Sequence, residues 1–350
     1  MPFQTSHSQH PPFPSNIPSA PLVSISLAKL ESHDAAESQA FFNACKSLGF
    51  FYLDMKGSAL GEDIVSLSEE VHALQKQFHA LPNEVKEDYL REKIDAFFGY
   101  RILGEREMED GSVGRNENYN MRKDDLLDNC AHLPCPPLIT NHRPVLATYA
   151  RKCRTAIDIL ITHLEANLNL PPGTIADLHR LDHMSGDHIR FNKSCPAPFS
   201  PSAAKAGEHT DFGSFTILFN WLGGLQIRHP ETNEWLYVRP VPGSAIVNLG
   251  DALVKFTAGI VRSNVHRVVP PPSPQDGVDR FSLVFFSRPE DAVVLRRLRG
   301  GLIDEQPVDR QEDVEMTAEE WTWKRSVGDL KGVYTHKGGL ELRTVVEGKA

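Results

Sequence analysis

Histidine and aspartate side chains that could bind a metal ion lie at short spacing in the second half of the chain. His209 and Asp211 are two residues apart, directly before an apolar run, residues 215–219, that predicts a β-strand. Because side chains at positions i and i+2 of a strand point to one face, both groups can contact one point in space. A second histidine, His266, follows 55 residues after Asp211. We therefore expect these three side chains to bind a metal ion, and the ligand types are compatible with Fe(II), Zn(II) or Mn(II).

A cationic side chain and a hydroxyl follow 14 residues after His266, at Arg280 and Ser282. They also share one face of a predicted strand, and together they can bind a carboxylate through charge-assisted hydrogen bonds. Each group has an ordinary structural alternative. His209 could be a hydrogen-bonded strand histidine, Asp211 a turn residue, and Arg280 an exposed side chain on an edge strand.

The order of these motifs, His-Thr-Asp, then His-Arg-Val, then Arg-Phe-Ser, resembles the Fe(II)/2-oxoglutarate-dependent dioxygenases, in particular their isopenicillin N synthase-like branch. Residues 246–251 (IVNLGD) resemble the family motif VNxGD, and residues 48–52 (LGFFY) resemble its N-terminal GFFY. The resemblance runs from about residue 21 to residue 289. It implies that Fe(II), 2-oxoglutarate and O2 are the cofactor and co-substrates, and that His209, Asp211 and His266 form the catalytic metal site.

The same resemblance assigns further residues. Arg280 and Ser282 are expected to bind the distal carboxylate of 2-oxoglutarate, with Asn192 and Ser194 nearby. Ser194 departs from the family pattern R-x-N-x-Y-P, because relatives have tyrosine at this position. Asn248 and Asp251 are expected to order the backbone near the metal.

The fold class that we predict is mainly β with flanking helices, namely a double-stranded β-helix (jelly roll) core with an α-rich N-terminal region. The second half of the chain supports it, because short Val-, Ile- and Phe-rich segments alternate there with Gly and Pro turns. The predicted strands are residues 187–192, 214–220, 224–228, 235–239, 244–248, 266–269 and 280–287. The predicted divisions are a flexible arm (1–20), an N-terminal α/β region (21–175), the jelly-roll core (176–295) and a C-terminal segment over the pocket (296–350).

Substrate-contacting residues are harder to predict. Residues 97–120 are rich in aromatic, glycine and charged side chains and resemble the segment that lines the pocket mouth in the family. We predict substrate contacts from Tyr100 and Tyr119 there, and from Phe286 on the last strand. A surface loop held by packed aromatic side chains, and a core position for Phe286, are the alternatives.

Composition narrows the class of partner. The chain has 37 basic and 46 acidic residues, a net charge of −9, which argues against nucleic acid or an anionic membrane as the main partner. Five cysteines without a CxxC spacing predict neither a disulfide framework nor a zinc site. With no secretory signal and no long apolar run, we expect a soluble cytoplasmic protein acting on a small molecule.

The resemblance implies an enzyme that hydroxylates, desaturates or rearranges a small organic molecule of specialised metabolism, while 2-oxoglutarate yields succinate and CO2. One alternative is an Fe(II) oxidase of the isopenicillin N synthase type, which uses no 2-oxoglutarate. A non-enzymatic small-molecule binder on the same fold is the other. Sequence patterns identify neither the substrate nor the oligomeric state.

Overall fold

The computed structural model describes residues 10–95, 97–108, 111, 113–200, 204, 207–307 and 315–327. Its strands are β1 (Ser24–Ser26), β2 (Phe50–Asp54), β3 (Gly99–Glu107), β4 (Val113–Arg122), β5 (His188–Ser194), β6 (Phe215–Asn220), β7 (Leu225–Arg228), β8 (Trp235–Tyr237), β9 (Ser244–Leu249), β10 (His266–Val268) and β11 (Arg280–Ser287). Its helices are α1 (Leu27–Glu31), α2 (Ala35–Ser47), α3 (Ala59–His79), α4 (Asn83–Glu87), α5 (Arg91–Ile94), α6 (Lys123–Leu126), α7 (Pro137–Asn141), α8 (Arg143–Asn167), α9 (Asp251–Phe256), α10 (Gly301–Asp304) and α11 (Ala318–Val327), with a short 3-10 turn at Ala176–Leu178. None of the helices in this part of the chain is long and apolar enough to cross a membrane.

The strands form two sheets with a cavity between them. The larger sheet has eight strands in the order β1-β2-β9-β6-β11-β5-β4-β3, and the smaller has the order β10-β7-β8. All pairs of the larger sheet are antiparallel except β1 with β2. Side chains of β4, β5, β6, β9 and β11 line the cavity from one side, and those of β7 and β10 line it from the other.

Each strand of the larger sheet divides its side chains between the cavity and the core. On β11, Leu283 and Phe285 are fully buried in the core, whereas Ser282, Val284 and Phe286 line the cavity. Successive side chains of a strand point to opposite faces, so this alternation sets which residues can reach a ligand.

Two long helices close the core face of the large sheet. Helices α3 and α8 pack against each other and against β11. Tyr149, Ile157 and Leu160 of α8 are fully buried, as the 3.6-residue periodicity of this segment predicts. Helix α2 begins after Asp34, whose carboxylate accepts a hydrogen bond of 2.8 Å from the backbone N–H of Glu37 and so caps the helix.

Residues 97–120 were interpreted as a segment that lines the pocket mouth, with a surface loop as the alternative. The structure has strands here instead of a loop: the antiparallel hairpin β3–β4 joins the large sheet through β5, and its Arg101 and Asn120 line the cavity. The segment has few β-branched residues, so its strand character was not visible in the composition. Backbone pairing to the neighbouring strand β5 stabilises it instead.

Residues 10–20 of the predicted flexible arm contact the body of the protein. The backbone N–H of Ala20 donates to the carbonyl of Tyr237 (2.8 Å), and the N–H of Tyr237 donates to the carbonyl of Pro18 (3.1 Å). The ring of Phe13 packs edge-on against that of Tyr237. Residues 1–9 of the predicted arm, and residues 328–350 of the predicted C-terminal segment, lie outside the described residues.

Candidate active site

The structure brings His209, Asp211 and His266 together. Their ligand atoms all lie within 4.8 Å of one another. Oδ1 of Asp211 is 3.9 Å from Nε2 of His209 and 3.8 Å from Nε2 of His266. Separations of this size suit three ligands around one ion rather than direct hydrogen bonds between them.

Backbone pairing places the two histidines side by side. The N–H of His209 donates to the carbonyl of His266 (3.0 Å), and the N–H of His266 donates back to His209 (2.9 Å). This antiparallel bridge adds His209 to the edge of the smaller sheet beside β10. Asp211 and His266, which are 55 residues apart, therefore meet because of this strand pairing. The spacing of the motifs alone does not specify the pairing.

Hydrogen bonds to carbonyl groups determine which ring nitrogen of each histidine is available. Nδ1 of His209 lies 2.8 Å from the carbonyl of Gly207, and Nδ1 of His266 lies 3.1 Å from the carbonyl of Asn264. A carbonyl can only accept, so Nδ1 carries the proton in both rings. Each Nε2 therefore presents a lone pair toward Asp211.

The carboxylate of Asp211 is oriented in the same way. Thr216 Oγ1 (2.8 Å) and Asn248 Nδ2 (2.7 Å) both donate to Oδ2, which leaves Oδ1 facing the two histidines. Burial raises the pKa of Asp211, but His266, His209 and these two hydrogen bonds outweigh it and hold the pKa below its usual value. Desolvation within the cavity, followed by the neighbouring His266, lowers the pKa of His209, although 47% of its side chain is exposed.

Helix α11 supports the loop that carries the first two ligands. Arg325 donates to Oγ1 of Thr210 (3.1 Å) and forms an ion pair of 3.0 Å with Asp251. Nε1 of Trp321 donates to the carbonyl of Phe212 at 3.2 Å. Arg325 itself lines the cavity, so this part of the predicted C-terminal segment contacts the site. Sequence reasoning missed this role, because no motif links Arg325 to a loop more than a hundred residues earlier.

Arg280 is a buried cation, with 3 % of its surface exposed. Its Nε donates to the carbonyl of Gly223 (2.7 Å), and Nη1 lies 3.5 Å from Oγ of Ser282. Burial lowers its pKa to about 10, still far above neutrality, so the group is charged. Within the described part of the chain it forms no ion pair. An uncompensated buried charge is costly, so this guanidinium fits an anionic ligand in the cavity.

The other two predicted cofactor residues lie beside Arg280. Ser194 is directly opposite Arg280 in the pairing of β5 with β11, and Asn192 is opposite Ser282. Nδ2 of Asn192 lies 3.4 Å from Oγ of Ser282, and all four side chains line the cavity. The predicted group is thus assembled at one end of a cavity of about 590 Å³.

The predicted substrate residues are only partly on the cavity wall. Phe286 lines the cavity. The structure corrects the prediction that Tyr100 and Tyr119 contact the substrate. Both are buried in the core, where the rings of Phe78 and Tyr119 lie 4.5 Å apart. The cause is strand alternation: on β3 and β4 it is the neighbours Arg101 and Asn120 that face the cavity.

Two cavity residues that sequence reasoning did not assign are Thr216 and Arg190. Thr216 is the second residue of β6, opposite Asn248, which explains its hydrogen bond to Asp211. Arg190 precedes Asn192 by two residues on β5, so the period of a strand places both on the cavity face. The two-residue period of the strand was the signal in the sequence that could have identified Arg190, and its use required knowledge of the strand boundaries.

The fold and the site together define an iron- and 2-oxoglutarate-dependent oxygenase, and known proteins agree. The family model of the 2OG-Fe(II) oxygenase superfamily matches residues 185–289, and the N-terminal model named for the non-haem dioxygenase in morphine synthesis matches residues 20–136. A 2-oxoglutarate-dependent dioxygenase of Aspergillus fumigatus is 30% identical over 317 residues, covering 82% of this chain and 80% of the relative. The chain belongs to the 2OG-Fe(II) oxygenase superfamily.

Two further relatives agree. A 2-oxoglutarate-dependent dioxygenase of Glarea lozoyensis is 28% identical, with 81% of this chain and 84% of the relative covered. The structure of Neurospora crassa T7H in complex with α-ketoglutarate (2-oxoglutarate) has a TM-score of 0.69 at 20% identity, covering 87% of this chain and 95% of that chain. The likeness to T7H shows a shared fold, the jelly roll predicted from the sequence. The donor set fits the family's cofactors, since His209, Asp211 and His266 can hold Fe(II) and Arg280 can hold a carboxylate of 2-oxoglutarate.

Proposed function

We propose that this enzyme hydroxylates, desaturates or rearranges a small organic molecule of specialised metabolism, with 2-oxoglutarate yielding succinate and CO2. The observation that carries the proposal is the charged guanidinium of Arg280, which forms no ion pair with any described residue and lines the same cavity as His209, Asp211 and His266. Arg280 and Ser282 would hold one carboxylate of a diacid in this cavity. When bound, iron and 2-oxoglutarate together activate O2 for oxidation of the substrate.

The proposed task of the protein's own residues is to bind and orient the metal and the co-substrate. His209, Asp211 and His266 hold the metal through fixed atoms, because the opposite side of each group is occupied by a hydrogen bond. Arg280 and Ser282 orient the co-substrate by a charge-assisted contact. Leu218, Leu225 and Val284 contribute apolar surface to the cavity wall.

We also propose how the chain divides these tasks. Residues 176–295 contain the jelly-roll core with all the proposed metal and cofactor residues. Residues 21–175, rich in helix, supply the supporting wall and the hairpin β3–β4 at the substrate side. The segment from residue 296 contributes helix α11, whose Arg325 and Ser326 line the cavity.

An anaerobic titration tests the proposal. Fe(II) and then 2-oxoglutarate are added to the apoprotein, and the visible absorbance of the resulting complex is recorded. We expect a weak band with the unaltered protein, no band with His209→Ala, and a weakened band with Arg280→Ala. Lys324→Ala, an exposed cation on α11, is the matched control and should leave the band unchanged.

The same titration can contradict the proposal. If Fe(II) binds but 2-oxoglutarate produces no band, the co-substrate assignment fails and an oxidase that releases no succinate takes its place. If Fe(II) does not bind, the assignment of the three metal ligands fails.

A further inference from the structure

The guanidinium of Arg190 also faces the cavity, away from Arg280. Arg190 lies on the cavity face of β5, and its Nε donates a hydrogen bond of 2.7 Å to Oδ1 of Asn120. Among the described residues it forms no ion pair. The acidic side chain that acts on it electrostatically is Asp211, whose carboxylate belongs to the metal site. Arg190 therefore presents positive charge to the cavity without a protein carboxylate of its own.

The position of the Arg190 side chain is fixed by packing. Its guanidinium carbon lies 4.7 Å from the centre of the Phe286 ring. Phe286 in turn stacks on His188, with ring centres 4.5 Å apart and planes inclined by 16°. Burial, followed by repulsion from Arg288, lowers the pKa of Arg190 to about 9, so the group stays charged at neutral pH. Phe286 thus acts as a support for the arginine as well as a part of the cavity wall.

Strand register separates Arg190 from the 2-oxoglutarate residues. In the pairing of β5 with β11, Arg280 is opposite Ser194, whereas Arg190 is opposite Val284, four residues further along β11. At about 3.3 Å per residue this is roughly 13 Å along the strand. The guanidinium also lies over Phe286, two residues beyond Val284 and away from Arg280. A five-carbon diacid held by Arg280 does not extend to Arg190.

The acidic residues on the cavity wall do not neutralise the positive charge around Arg190. The carboxylate of Glu117 is bound by Lys86 at 2.9 Å, and that of Glu208 is bound by Arg267 at 3.1 Å. Arg101 adds a further positive group to the lining. The space around Arg190 is therefore cationic.

We propose that the substrate oxidised by this enzyme carries a carboxylate and that Arg190 binds it, which makes Arg190 a specificity-determining residue. The proposal rests on the proposed function, because it assigns Arg280 to 2-oxoglutarate. A carboxylate matches the charge of one guanidinium and its planar, two-pronged geometry. With one end of the substrate held at Arg190, the carbon to be oxidised lies toward the metal ligands.

The test compares acids with uncharged molecules of the same shape. Phenylacetate, cinnamate and octanoate, and the primary amide of each, are titrated calorimetrically into the anaerobic protein loaded with Fe(II) and saturating 2-oxoglutarate. We expect at least one acid to bind about tenfold or more tightly than its amide, because a charge-assisted hydrogen bond is stronger than a neutral one. Arg190→Gln should remove the preference, and Arg190→Lys should retain part of it. Arg296→Gln, an exposed arginine outside the cavity lining, should retain all of it.

Three results would overturn the proposal: amides that bind as well as the acids, a preference that survives in Arg190→Gln, or no binding of any acid. A preference for phenyl phosphate over all three acids would also overturn it, in favour of a phosphate ester. The comparison in the unaltered protein does not depend on whether a variant folds.

The experiment also separates this inference from the proposed function. Failure of 2-oxoglutarate to form its absorbance band is a failure of the proposed function, recorded before any acid is added. If the band forms but an acid raises the apparent dissociation constant of 2-oxoglutarate, the acid binds at Arg280 and the assignment to Arg190 is wrong. Arg190→Gln should still form the band.

Discussion

Asn248 on β9 and Thr216 on β6 are directly opposite each other, and both donate a hydrogen bond to Oδ2 of Asp211. The pair comes from adjacent strands of the large sheet, so the orientation of the metal-binding carboxylate is set by β-sheet register. Asn248 was expected from the sequence to order the backbone near the metal, whereas its side chain instead orients the carboxylate of Asp211 directly.

Replacing Asn248 should weaken metal binding. Asn248→Ala removes one of the two hydrogen bonds that hold Oδ2, so the carboxylate can rotate away from the histidines. We expect metal affinity to fall about 10- to 100-fold, measured by anaerobic calorimetry with Fe(II). Asn43→Ala, at an exposed position on α2, is the control. Unchanged affinity in Asn248→Ala would show that Thr216 is sufficient.

Gly250 should be intolerant of a side chain. A Cβ at this position would lie 2.3 Å from the carbonyl oxygen of Gly213 and 3.0 Å from that of Asp211, both of which are backbone atoms. Gly250→Ala must therefore displace the metal-binding loop, with an expected loss of about 1–3 kcal/mol in the free energy of unfolding and weaker Fe(II) binding. Gly277→Ala, where a Cβ meets nothing within 4 Å, should change neither quantity.

Ser194 should contribute less to 2-oxoglutarate binding than Arg280. Ser194→Ala removes one neutral hydrogen-bonding group, which corresponds to about a 2- to 12-fold change in affinity. Arg280→Met removes the charge and should weaken binding about 100-fold or more. The dissociation constant of 2-oxoglutarate, read from the absorbance band, checks both. A larger loss in Ser194→Ala than in Arg280→Met would reverse the assignment.

A buried charge network outside the metal site should make the free energy of unfolding depend on pH in the acidic range. Lys86 lies 2.9 Å from both carboxylate oxygens of Glu117, and the Tyr100 hydroxyl and His79 Nδ1 also donate to them. Burial raises the pKa of Glu117, but hydrogen bonds from His79, Tyr100 and Lys86 outweigh it and lower the pKa to about 2. Its contribution to stability is therefore complete above its ordinary pKa of 4.5 and is lost as the pH falls toward about 2.

Glu117→Gln tests this network. The variant leaves the ammonium group of Lys86 buried without a carboxylate, so we expect a loss of roughly 3–5 kcal/mol in the free energy of unfolding at pH 7. Urea unfolding of the apoprotein from pH 7 to pH 3 should show this difference shrinking below about pH 4.5. Glu84→Gln, an exposed substitution on α4, should cost less than about 0.5 kcal/mol at every pH.

Arg325 should matter for both stability and metal binding. Arg325→Met leaves the buried carboxylate of Asp251 without its ion pair and removes one of the two hydrogen bonds of the Thr210 hydroxyl, which keeps only its bond of 2.9 Å to Asp251. Thr210 lies between His209 and Asp211. We expect a loss of about 3 kcal/mol in the free energy of unfolding together with weaker Fe(II) binding. Lys324→Met, the exposed neighbour on α11, is the matched substitution. Equal effects of the two variants on metal affinity would contradict a specific role for Arg325.

Sequence reasoning worked where local pattern and motif coincide. The strand predicted at residues 280–287 is β11 as found, and the three proposed metal ligands meet as the family resemblance implied. It failed where the face of a strand decides the outcome. Tyr119 and Asn120 are adjacent in sequence, yet one is in the core and the other on the cavity wall, and a shift of one residue exchanges them.

Contacts between distant segments could not be predicted from the sequence either. The support of the metal loop by Arg325, and the joining of the hairpin β3–β4 to β5, depend on packing that no local composition encodes. Arg190 is an intermediate case, because it stands at the arginine of the R-x-N-x-Y-P pattern but that pattern does not show that it forms no ion pair among the described residues.

The contact between α11 and the metal loop has a consequence for synthesis on the ribosome. A nascent chain has all three metal ligands once residue 266 has been added, but the arginine that holds Thr210 in place is the 325th residue. β2 must likewise wait for β9, almost two hundred residues later, before its hydrogen bonds can form. The proposed metal ligands therefore reach the geometry described here only after residue 325 has been synthesised, so we expect Fe(II) to bind after α11 has formed rather than to a shorter nascent chain.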